Sequence, residues 1–384
     1  MLPTAARLSR GSTVGWIGLG AMGHPMALNL FTKTYLAHQA AGSSTDDAPR
    51  FLICEADSGR ADAFVAELKD RGGSELASRV DRVGSGKEMA ASASRILTML
   101  PSTPQVQSVY LDPKTGILPG LLSLPSNTPL LPRVPSSSVP DQTDTAAPSA
   151  QPNTLLVDGT TLDPTVAMEV AKRIHEETGG KALMIDAPVS GGIVAAKAGT
   201  LTIMFGSPSP IATSLAVPFL QRMARDDGVI PCGSTGAGVG VKVCNNLILA
   251  INQIALAEGL ALGRSLGIDP VLLHNVVNTS SGQSWSSRVN SPLPEVANSP
   301  GSRGYSGGFQ SRLMLKDVGL ALHAAHQYDL PTPLGWAAKS VYEAVCNDGQ
   351  GEWAAKDFSV VFEWLKKLQV EGVERGWKDG APGQ

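Results

Sequence analysis

Cysteine and aromatic residues are scarce in this chain of 384 residues, and neither sign of charge is in large excess. The four cysteines, Cys54, Cys232, Cys244 and Cys346, are scattered without a close pair, which argues against a disulfide framework and against a zinc site. A formal net charge of −3 provides no basic surface for nucleic acid. The most apolar run, 247–262, is interrupted by polar residues and is therefore not expected to span a membrane. The composition predicts a soluble protein without a metal and without a nucleic-acid or membrane partner.

The N-terminal residues have the composition of a targeting segment. Arg7 and Arg10 are accompanied by Ser9 and Ser12, and no acidic residue occurs in 1–13. This composition is typical of a mitochondrial presequence, although the stretch is shorter than most, and an unstructured N-terminus explains it equally well. We therefore treat 1–13 as a candidate targeting segment and predict the mitochondrial matrix, with the cytoplasm as the alternative.

The pattern of apolar residues divides the chain into two domains, as its length also suggests. In 14–232, short apolar strands alternate with helices, which predicts a mostly parallel sheet with helices on both faces. Two apparent insertions interrupt this pattern. The segment 33–50 is long for a helix-to-strand connection, and 123–153 is rich in proline, serine and threonine, which predicts a mobile surface loop. The strands are predicted at Val14–Ile17, Phe51–Cys54, Ile96–Leu100, Leu155–Asp158, Ala182–Asp186 and Thr202–Phe205.

After Gly236 the strand signals stop, so that 236–370 is predicted to be an all-α domain, followed by a tail at 371–384. Its first helix, Val239–Leu266, is apolar nearly all round, which indicates burial on every side, either within the domain or against a second subunit. A homo-oligomer, a dimer or a tetramer, is therefore expected. Further helices are predicted at Pro270–Asn278, Gln310–Tyr328, Leu334–Cys346 and Phe358–Leu368.

A glycine-rich turn directly follows the first strand and begins the first helix. Its sequence is Gly18-Leu19-Gly20-Ala21-Met22-Gly23, with glycine at the first, third and sixth positions. In this context Gly18 permits a tight turn, Gly20 lets the backbone approach a pyrophosphate, and Gly23 lets the helix pack closely on the strand. Backbone N–H groups at the start of the helix can then bind phosphate. The turn therefore predicts a dinucleotide-binding domain.

The second strand is followed by a carboxylate that bears on the choice of cofactor. Glu55 can accept hydrogen bonds from both hydroxyls of the adenosine ribose and would repel a 2′-phosphate. Arg60 lies in the same loop, but no arginine follows Glu55 directly. The sequence therefore favours NAD over NADP.

Ordered motifs in the rest of the chain resemble those of the β-hydroxyacid dehydrogenases. The resemblance runs from about Val14 to Leu368 outside the two insertions, and Ser281–Ser287 resembles the corresponding segment of the 3-hydroxyisobutyrate dehydrogenases. It departs at Gly159 and Thr160, where the family usually has serines. The motifs that carry it are Met99-Leu100-Pro101, Asp158-Gly159-Thr160-Thr161-Leu162-Asp163-Pro164, Asp186-Ala187-Pro188-Val189-Ser190-Gly191-Gly192, and Gly236-Ala237-Gly238 leading to Lys242, Asn245 and Asn246.

The resemblance implies an α/β fold, with an N-terminal Rossmann-type, mostly parallel sheet and a C-terminal all-α domain, and it implies Lys242 as the acid/base. Oxidation of a hydroxyl requires a base to take its proton as hydride leaves, and reduction requires the same group to return it. An otherwise apolar helix would desolvate the Lys242 amine and lower its pKa toward the working range. Asn246, one turn further on, and Asn245 share the same face, and Asn246 is implied as a catalytic and substrate-binding residue. A lysine that reaches the surface is the alternative interpretation.

The resemblance also implies contacts to the rest of the cofactor and to the substrate. Beyond the glycine-rich turn, the implied cofactor-binding residues are Leu100, Pro101, Thr161 and Lys316. The implied substrate-binding residues are Ser190, Gly191 and Gly192, which would hold a carboxylate, and Trp285, which would border a methyl branch. The alternatives are an ordinary turn at Ser190–Gly192, a solvated lysine at Lys316 and core packing at Trp285.

The function implied by the resemblance is NAD-dependent oxidation of 3-hydroxyisobutyrate to methylmalonate semialdehyde, a step of valine catabolism. Two alternatives remain open at this point. The same scaffold could reduce a related semialdehyde, of tartronate or succinate, or glyoxylate. It could also be a non-catalytic NAD-binding scaffold, although the presence of Lys242 argues against that interpretation.

Overall fold

The computed structural model describes residues 10–42, 48–132 and 151–371. The chain divides into two compact units, Met1–Lys242 and Val243–Gln384. Most of the candidate targeting segment, the middle of each predicted insertion and nearly all of the predicted tail lie outside the described residues.

The first unit contains one sheet of nine strands among the described residues. Its order is β3-β2-β1-β4-β5-β6-β8-β7, and β9 pairs with β8. All pairs from β3 to β6 are parallel, β8 runs antiparallel to β6 and β7, and β9 is parallel to β8. The strands are β1 (Thr13–Ile17), β2 (Arg50–Cys54), β3 (Val80–Arg82), β4 (Arg95–Thr98), β5 (Thr154–Asp158), β6 (Ala182–Asp186), β7 (Val189–Ser190), β8 (Leu201–Gly206) and β9 (Ala224–Gly233).

The central strands are buried on both faces, as continuous apolar runs require in a parallel sheet. Every residue of β1, β5 and β6 is buried. Helices α1 to α8 connect these strands, and the apolar core of the unit includes Trp16, Phe31, Phe51 and Phe205. The predicted mostly parallel sheet is confirmed. The helices are α1 (Gly23–Ala40), α2 (Ser58–Ala77), α3 (Gly86–Ser92), α4 (Thr103–Leu111), α5 (Ile117–Leu122), α6 (Pro164–Glu177), α7 (Gly192–Ala198) and α8 (Pro210–Leu220).

The first predicted insertion begins later than expected. Helix α1 continues to Ala40, because Thr34 and Tyr35 lie on its buried face and the Thr34 hydroxyl donates to the Leu30 carbonyl at 2.5 Å. The interpretation of 33–40 as part of a connection was therefore wrong. The added chain lies between Ala40 and the first residue of β2, Arg50.

The described part of the second unit is helical apart from short 3-10 turns and one isolated bridge between Gln310 and Asp357. Its core contains Tyr342, Phe358 and Phe362. The all-α character of the C-terminal part is thus confirmed. Its helices are α9 (Ala237–Ser265), which begins in the first unit, α10 (Pro270–Thr279), α11 (Trp285–Val289), α12 (Ser311–Gln327), α13 (Pro333–Asn347) and α14 (Val361–Glu371).

Helix α9 is only partly buried within the chain. Gln253 is fully buried and accepts a hydrogen bond from Asn290 at 3.3 Å, but Ile248 and Leu262 are 60% and 61% exposed. Of the two alternatives for α9, burial on every side within its own domain is therefore wrong, and burial against a second subunit stays a prediction. By length and composition α9 is also the one described helix that could cross a membrane, a property that the core helices of globular proteins share.

Candidate active site

The glycine-rich turn joins β1 to α1 in a conformation that only glycine allows. Gly18 has φ +96° and donates its N–H to the Cys54 carbonyl at 3.0 Å. A Cβ on Gly18 would lie 2.3 Å from the Met99 carbonyl oxygen, and one on Gly23 would lie 2.0 Å from the Gly18 carbonyl oxygen. These two glycines therefore allow the turn, the helix and the end of β4 to pack together.

Packing does not explain the glycine at position 20, unlike those at Gly18 and Gly23. A Cβ on Gly20 would meet nothing within 4 Å, so the packing of the chain does not require glycine there. The space above Gly20 is open, as a pyrophosphate lying close to the backbone would need.

The Glu55 carboxylate is held beside this turn. Its Oε2 accepts the Leu19 N–H at 2.6 Å, and its Oε1 accepts the Asp57 N–H at 3.1 Å. Each oxygen retains a further acceptor position for a ligand hydroxyl. Arg60 forms an ion pair with Asp57 at 3.5 Å, so its guanidinium is already engaged by an acid of its own loop.

A buried carboxylate connects the carboxyl ends of β4 and β5. Asp158 Oδ1 accepts hydrogen bonds from the hydroxyls of Thr98 and Thr160, both at 2.7 Å. The Thr160 hydroxyl in turn accepts the Leu100 N–H at 2.9 Å. Burial raises the pKa of Asp158 to about 6, although the Thr160 and Thr98 hydrogen bonds oppose that shift.

This network explains two differences from the sequence predictions. Strand β4 ends at Thr98 rather than Leu100, because the Leu100 amide bonds to a side chain instead of a neighbouring strand. Thr160, one of the departures from the family pattern, keeps the hydroxyl that this contact needs. Leu100 donates its own N–H to this network, and Thr161 directly follows Thr160. Pro101 is exposed.

The Ser190–Gly192 turn links β7 to α7. Ser190 pairs with Thr202 of β8 and is half-buried. Gly191 has φ +128° and Gly192 has φ +66°, and a Cβ on Gly192 would meet nothing within 4 Å. A Cβ on Gly191 would lie 2.6 Å from the Ala195 Cβ, so packing explains that glycine, and only the backbone at Gly192 borders open space.

Asp186, the last residue of β6, fixes the start of the helix that carries Lys242. Its Oδ1 accepts the Gly236 N–H at 2.6 Å, and its Oδ2 accepts the Val239 N–H at 2.9 Å. Burial raises the pKa of Asp186, whereas these amides favour its charged form. A carboxylate at this position satisfies backbone donors that the first turn of a helix leaves unpaired. Asp186 belongs to a motif in the sequence, but the motif alone did not indicate this role.

Lys242 lies in the second turn of α9 and is only 8% exposed. The alternative interpretation of Lys242 as a surface lysine is therefore wrong. Asn246 is 1% exposed on the same face, whereas Asn245, three residues after Lys242, is exposed.

In the second unit, the Asn246 amide belongs to a small buried polar cluster. Its Nδ2 donates to Asp317 Oδ2 at 2.6 Å, and its Oδ1 accepts from Asn245 Nδ2 at 3.1 Å. The Lys316 Nζ lies 3.2 Å from Asp317 Oδ1, so Lys316 pairs with a buried carboxylate rather than standing alone in solvent. The role of Asp317 was not predicted, although an acid that follows Lys316 in an apolar helix is a signal in the sequence.

Trp285 begins α11 in the second unit and is 52% exposed. The alternative that it is an ordinary core side chain is therefore wrong, and its assignment to the substrate stays a prediction. In the described parts of the chain no group of three or more histidine, cysteine or acidic side chains could hold a metal ion.

Comparison with known families places both parts of the chain among dehydrogenases. Residues 13–123 and 133–236 match the family described as the NAD binding domain of 6-phosphogluconate dehydrogenase. Residues 236–365 match the family described as NAD-binding of NADP-dependent 3-hydroxyisobutyrate dehydrogenase.

Individual relatives match nearly the whole chain. A protein of Dictyostelium discoideum named as a probable mitochondrial 3-hydroxyisobutyrate dehydrogenase is 36% identical, over 94% of this chain and 92% of its own length. An NAD-dependent L-serine dehydrogenase of Pseudomonas aeruginosa is 34% identical, over 91% of this chain and 96% of its own. The solved structure of a Mycobacterium tuberculosis 3-hydroxyisobutyrate dehydrogenase with L-serine is 31% identical, with a TM-score of 0.70, over 92% of this chain and 99% of that one.

Proposed function

Because the chain belongs to the 3-hydroxyisobutyrate dehydrogenase family and is an NAD-dependent 3-hydroxyacid dehydrogenase, we propose that it oxidises 3-hydroxyisobutyrate to methylmalonate semialdehyde in valine catabolism. The observation that carries the proposal is the buried Lys242 amine, on a helix whose first turn is held by Asp186. The nearest alternative is oxidation of L-serine, because a relative of similar identity is named for that activity.

The residues of the first unit fit the NAD cofactor. The Gly18–Gly23 turn leaves open space at Gly20, and the fixed Glu55 carboxylate can accept hydrogen bonds from the ribose hydroxyls. The same carboxylate would repel the 2′-phosphate of NADP. Contacts from Leu100, Pro101, Thr161 and Lys316 to the cofactor are part of the proposal. When bound, NAD accepts the hydride that leaves the substrate carbon.

Lys242 serves as the base of this proposal. Its Nζ takes the proton of the substrate hydroxyl during oxidation and returns it during reduction. Burial keeps bulk water away from the amine and so directs the proton to the substrate. Asn246 contributes a polar group on the same face of α9, and Asp317 holds its amide in one orientation.

The carboxylate of the substrate is assigned to the Ser190–Gly192 turn. Ser190 offers a hydroxyl, and Gly192 leaves the backbone accessible. Trp285 is assigned to the methyl branch, the group that distinguishes 3-hydroxyisobutyrate from L-serine, which carries an ammonium there.

A substrate panel tests the proposal. We expect kcat/KM with NAD to be at least about tenfold higher for 3-hydroxyisobutyrate than for L-serine, since a pocket shaped for a methyl group gives an ammonium no partner. The panel includes reduction of succinate semialdehyde, tartronate semialdehyde and glyoxylate with NADH. A higher kcat/KM for L-serine or for one of these acceptors would overturn the substrate assignment, and NAD binding without turnover on any of them would indicate a scaffold.

Substitution of Gly20 separates cofactor binding from packing. Gly20→Ala is expected to weaken NAD binding by about tenfold or more and to leave the melting temperature unchanged, because the added methyl group enters open space that the pyrophosphate would use. Gly23→Ala is the matched comparison and should destabilise the protein, because its methyl group would collide with the Gly18 carbonyl. Calorimetric NAD titration and thermal unfolding check both variants. Unchanged NAD affinity in Gly20→Ala would contradict the assigned position of the pyrophosphate.

The compartment and the assembly are further parts of the proposal. The Dictyostelium relative is named as mitochondrial, which together with the composition of 1–13 supports the mitochondrial matrix for this chain. Exposed apolar side chains on α9, including Ile248 and Leu262, support a homo-oligomer.

A further inference from the structure

A cavity of about 340 Å³ lies at the edge of the sheet where the parallel strands begin. Its lining includes Ser12, which precedes β1, and Arg95, the first residue of β4. The glycine-rich turn, Glu55 and Asp158 lie at the other ends of β1, β2 and β5, where open parallel sheets bind their nucleotides. The lining residues on which the argument depends define the amino-edge pocket: Ser12, Thr34, His38, Arg95, Phe219 and Arg222.

Two arginines converge on one aromatic ring in the amino-edge pocket. The Cζ atoms of Arg95 and Arg222 lie 5.5 Å and 5.0 Å from the centroid of the Phe219 ring. Arg95 is anchored by a hydrogen bond from Nη1 to the Gly11 carbonyl at 2.7 Å. Arg222 Nη1 is buried and has no hydrogen-bond partner among the described residues.

Among the described residues, no ion pair with a carboxylate balances the charge of either guanidinium group. Every ion pair between an arginine and a carboxylate in the described parts of the chain involves an arginine other than Arg95 or Arg222. Burial lowers the pKa of both arginines, and the charge of Arg222 lowers that of Arg95 further. Two like charges that are partly removed from water, with one donor unsatisfied, cost folding free energy unless an anion compensates them.

We propose that the amino-edge pocket binds a small, doubly charged oxyanion, a phosphate or a dicarboxylate. Guanidinium groups bind both classes through paired, charge-assisted hydrogen bonds, and two of them match a dianion. Arg95 and Arg222 both line the cavity and supply the donors, while the Phe219 ring lies against both cations. Ser12 and His38 add polar groups to the lining.

The amino-edge pocket is separate from the cofactor site. Arg95 and Thr98 are the two ends of β4, and three residues of extended strand span about 10 Å. An anion bound to Arg95 and Arg222 therefore does not occupy the space above Gly20. Binding there is expected to be independent of the proposed substrate.

Calorimetric titration of the full chain with sodium phosphate, and separately with sodium malonate, tests the proposal at constant ionic strength in chloride. We expect at least one of the two anions to bind at a single site, with the same affinity in the presence of saturating NAD. Arg222→Gln should weaken that binding by about ten- to a hundredfold, the effect of losing a charge-assisted hydrogen bond to an ion, and Arg222→Lys should weaken it less. Arg173→Gln removes an exposed arginine paired with Glu177 and is the matched control, expected to bind as the unaltered chain does. The anion that binds identifies the class.

Three results would overturn the proposal. The first is no saturable binding of either anion to the unaltered chain. The second is an equal anion affinity of Arg222→Gln and Arg173→Gln, provided that the melting temperatures of both variants lie within about a degree of that of the unaltered chain. The third is complete displacement of the anion by NAD, which would place it on the glycine-rich turn instead.

Discussion

Lys242→Met is expected to lower kcat for oxidation of 3-hydroxyisobutyrate by about a thousandfold, within the range that loss of a general acid or base produces. Methionine keeps the length and apolar stem of lysine, so the buried site stays filled while the proton acceptor is removed. The affinity for NAD should not change, because the glycine-rich turn is built from β1 and α1. Steady-state kinetics and calorimetric titration with NAD measure the two quantities.

The control for Lys242→Met is Lys172→Met, which alters a solvent-exposed lysine of α6 in an ion pair with Glu176. It should retain full turnover. The dependence of kcat on pH adds a second measurement, because a lysine base makes oxidation faster as the amine loses its proton, and the methionine variant should lack that increase. Turnover of Lys242→Met within a few fold of the unaltered enzyme would refute the assigned role.

Asp186→Ala is expected to lower kcat by about a hundredfold while leaving the affinity for NAD unchanged. It removes the acceptor of the Gly236 and Val239 N–H groups and so frees the start of α9, on which Lys242 lies. A displacement of about 1 Å at a reacting group can cost about a hundredfold in rate. Asp186 is therefore a positioning residue, and kcat should fall more than KM rises. Loss of the helix cap should also cost about 1 to 2 kcal/mol of stability.

A general loss of stability must be separated from this positional effect. Ser209→Ala removes the side chain that caps α8 by accepting the Ala212 N–H at 3.2 Å, and so provides a cap deletion away from Lys242. It should lower the melting temperature with kcat nearly unchanged. Asp186→Asn retains one acceptor oxygen and should recover part of the rate. If Asp186→Ala lost no more kcat than Ser209→Ala, the positioning role would be wrong.

Much of the sheet could be predicted because its central strands are continuous apolar runs. Strands β1, β2, β5 and β6 lie within one residue of their predicted bounds. Strand β9 was not predicted, because Arg225, Asp226 and Asp227 give it the composition of a loop. These charges are tolerated because β9 pairs only with β8, and its side chains are largely exposed.

The candidate catalytic residues could be predicted from the sequence, but the acidic residues that position them could not. Lys242 and Asn246 could be named because they occur in a short motif on one helix. Their supporting acids are distant in sequence. Asp186 precedes Gly236 by 50 residues, and Asp317 follows Asn246 by 71. Only the folded chain therefore shows which N–H groups donate hydrogen bonds to these carboxylates. Hydrogen-bond partners set by topology leave no periodic pattern in the sequence.

The two additional stretches of chain both precede the first residue of a parallel strand, β2 at Arg50 and β5 at Thr154. Connections that enter a strand at its first residue are on the edge opposite the Gly18–Gly23 turn and the Asp158 network. Chain added at these two positions therefore enters the sheet away from the catalytic edge. A fluorophore or a second domain grafted into the stretch before β5 is therefore expected to leave turnover unchanged.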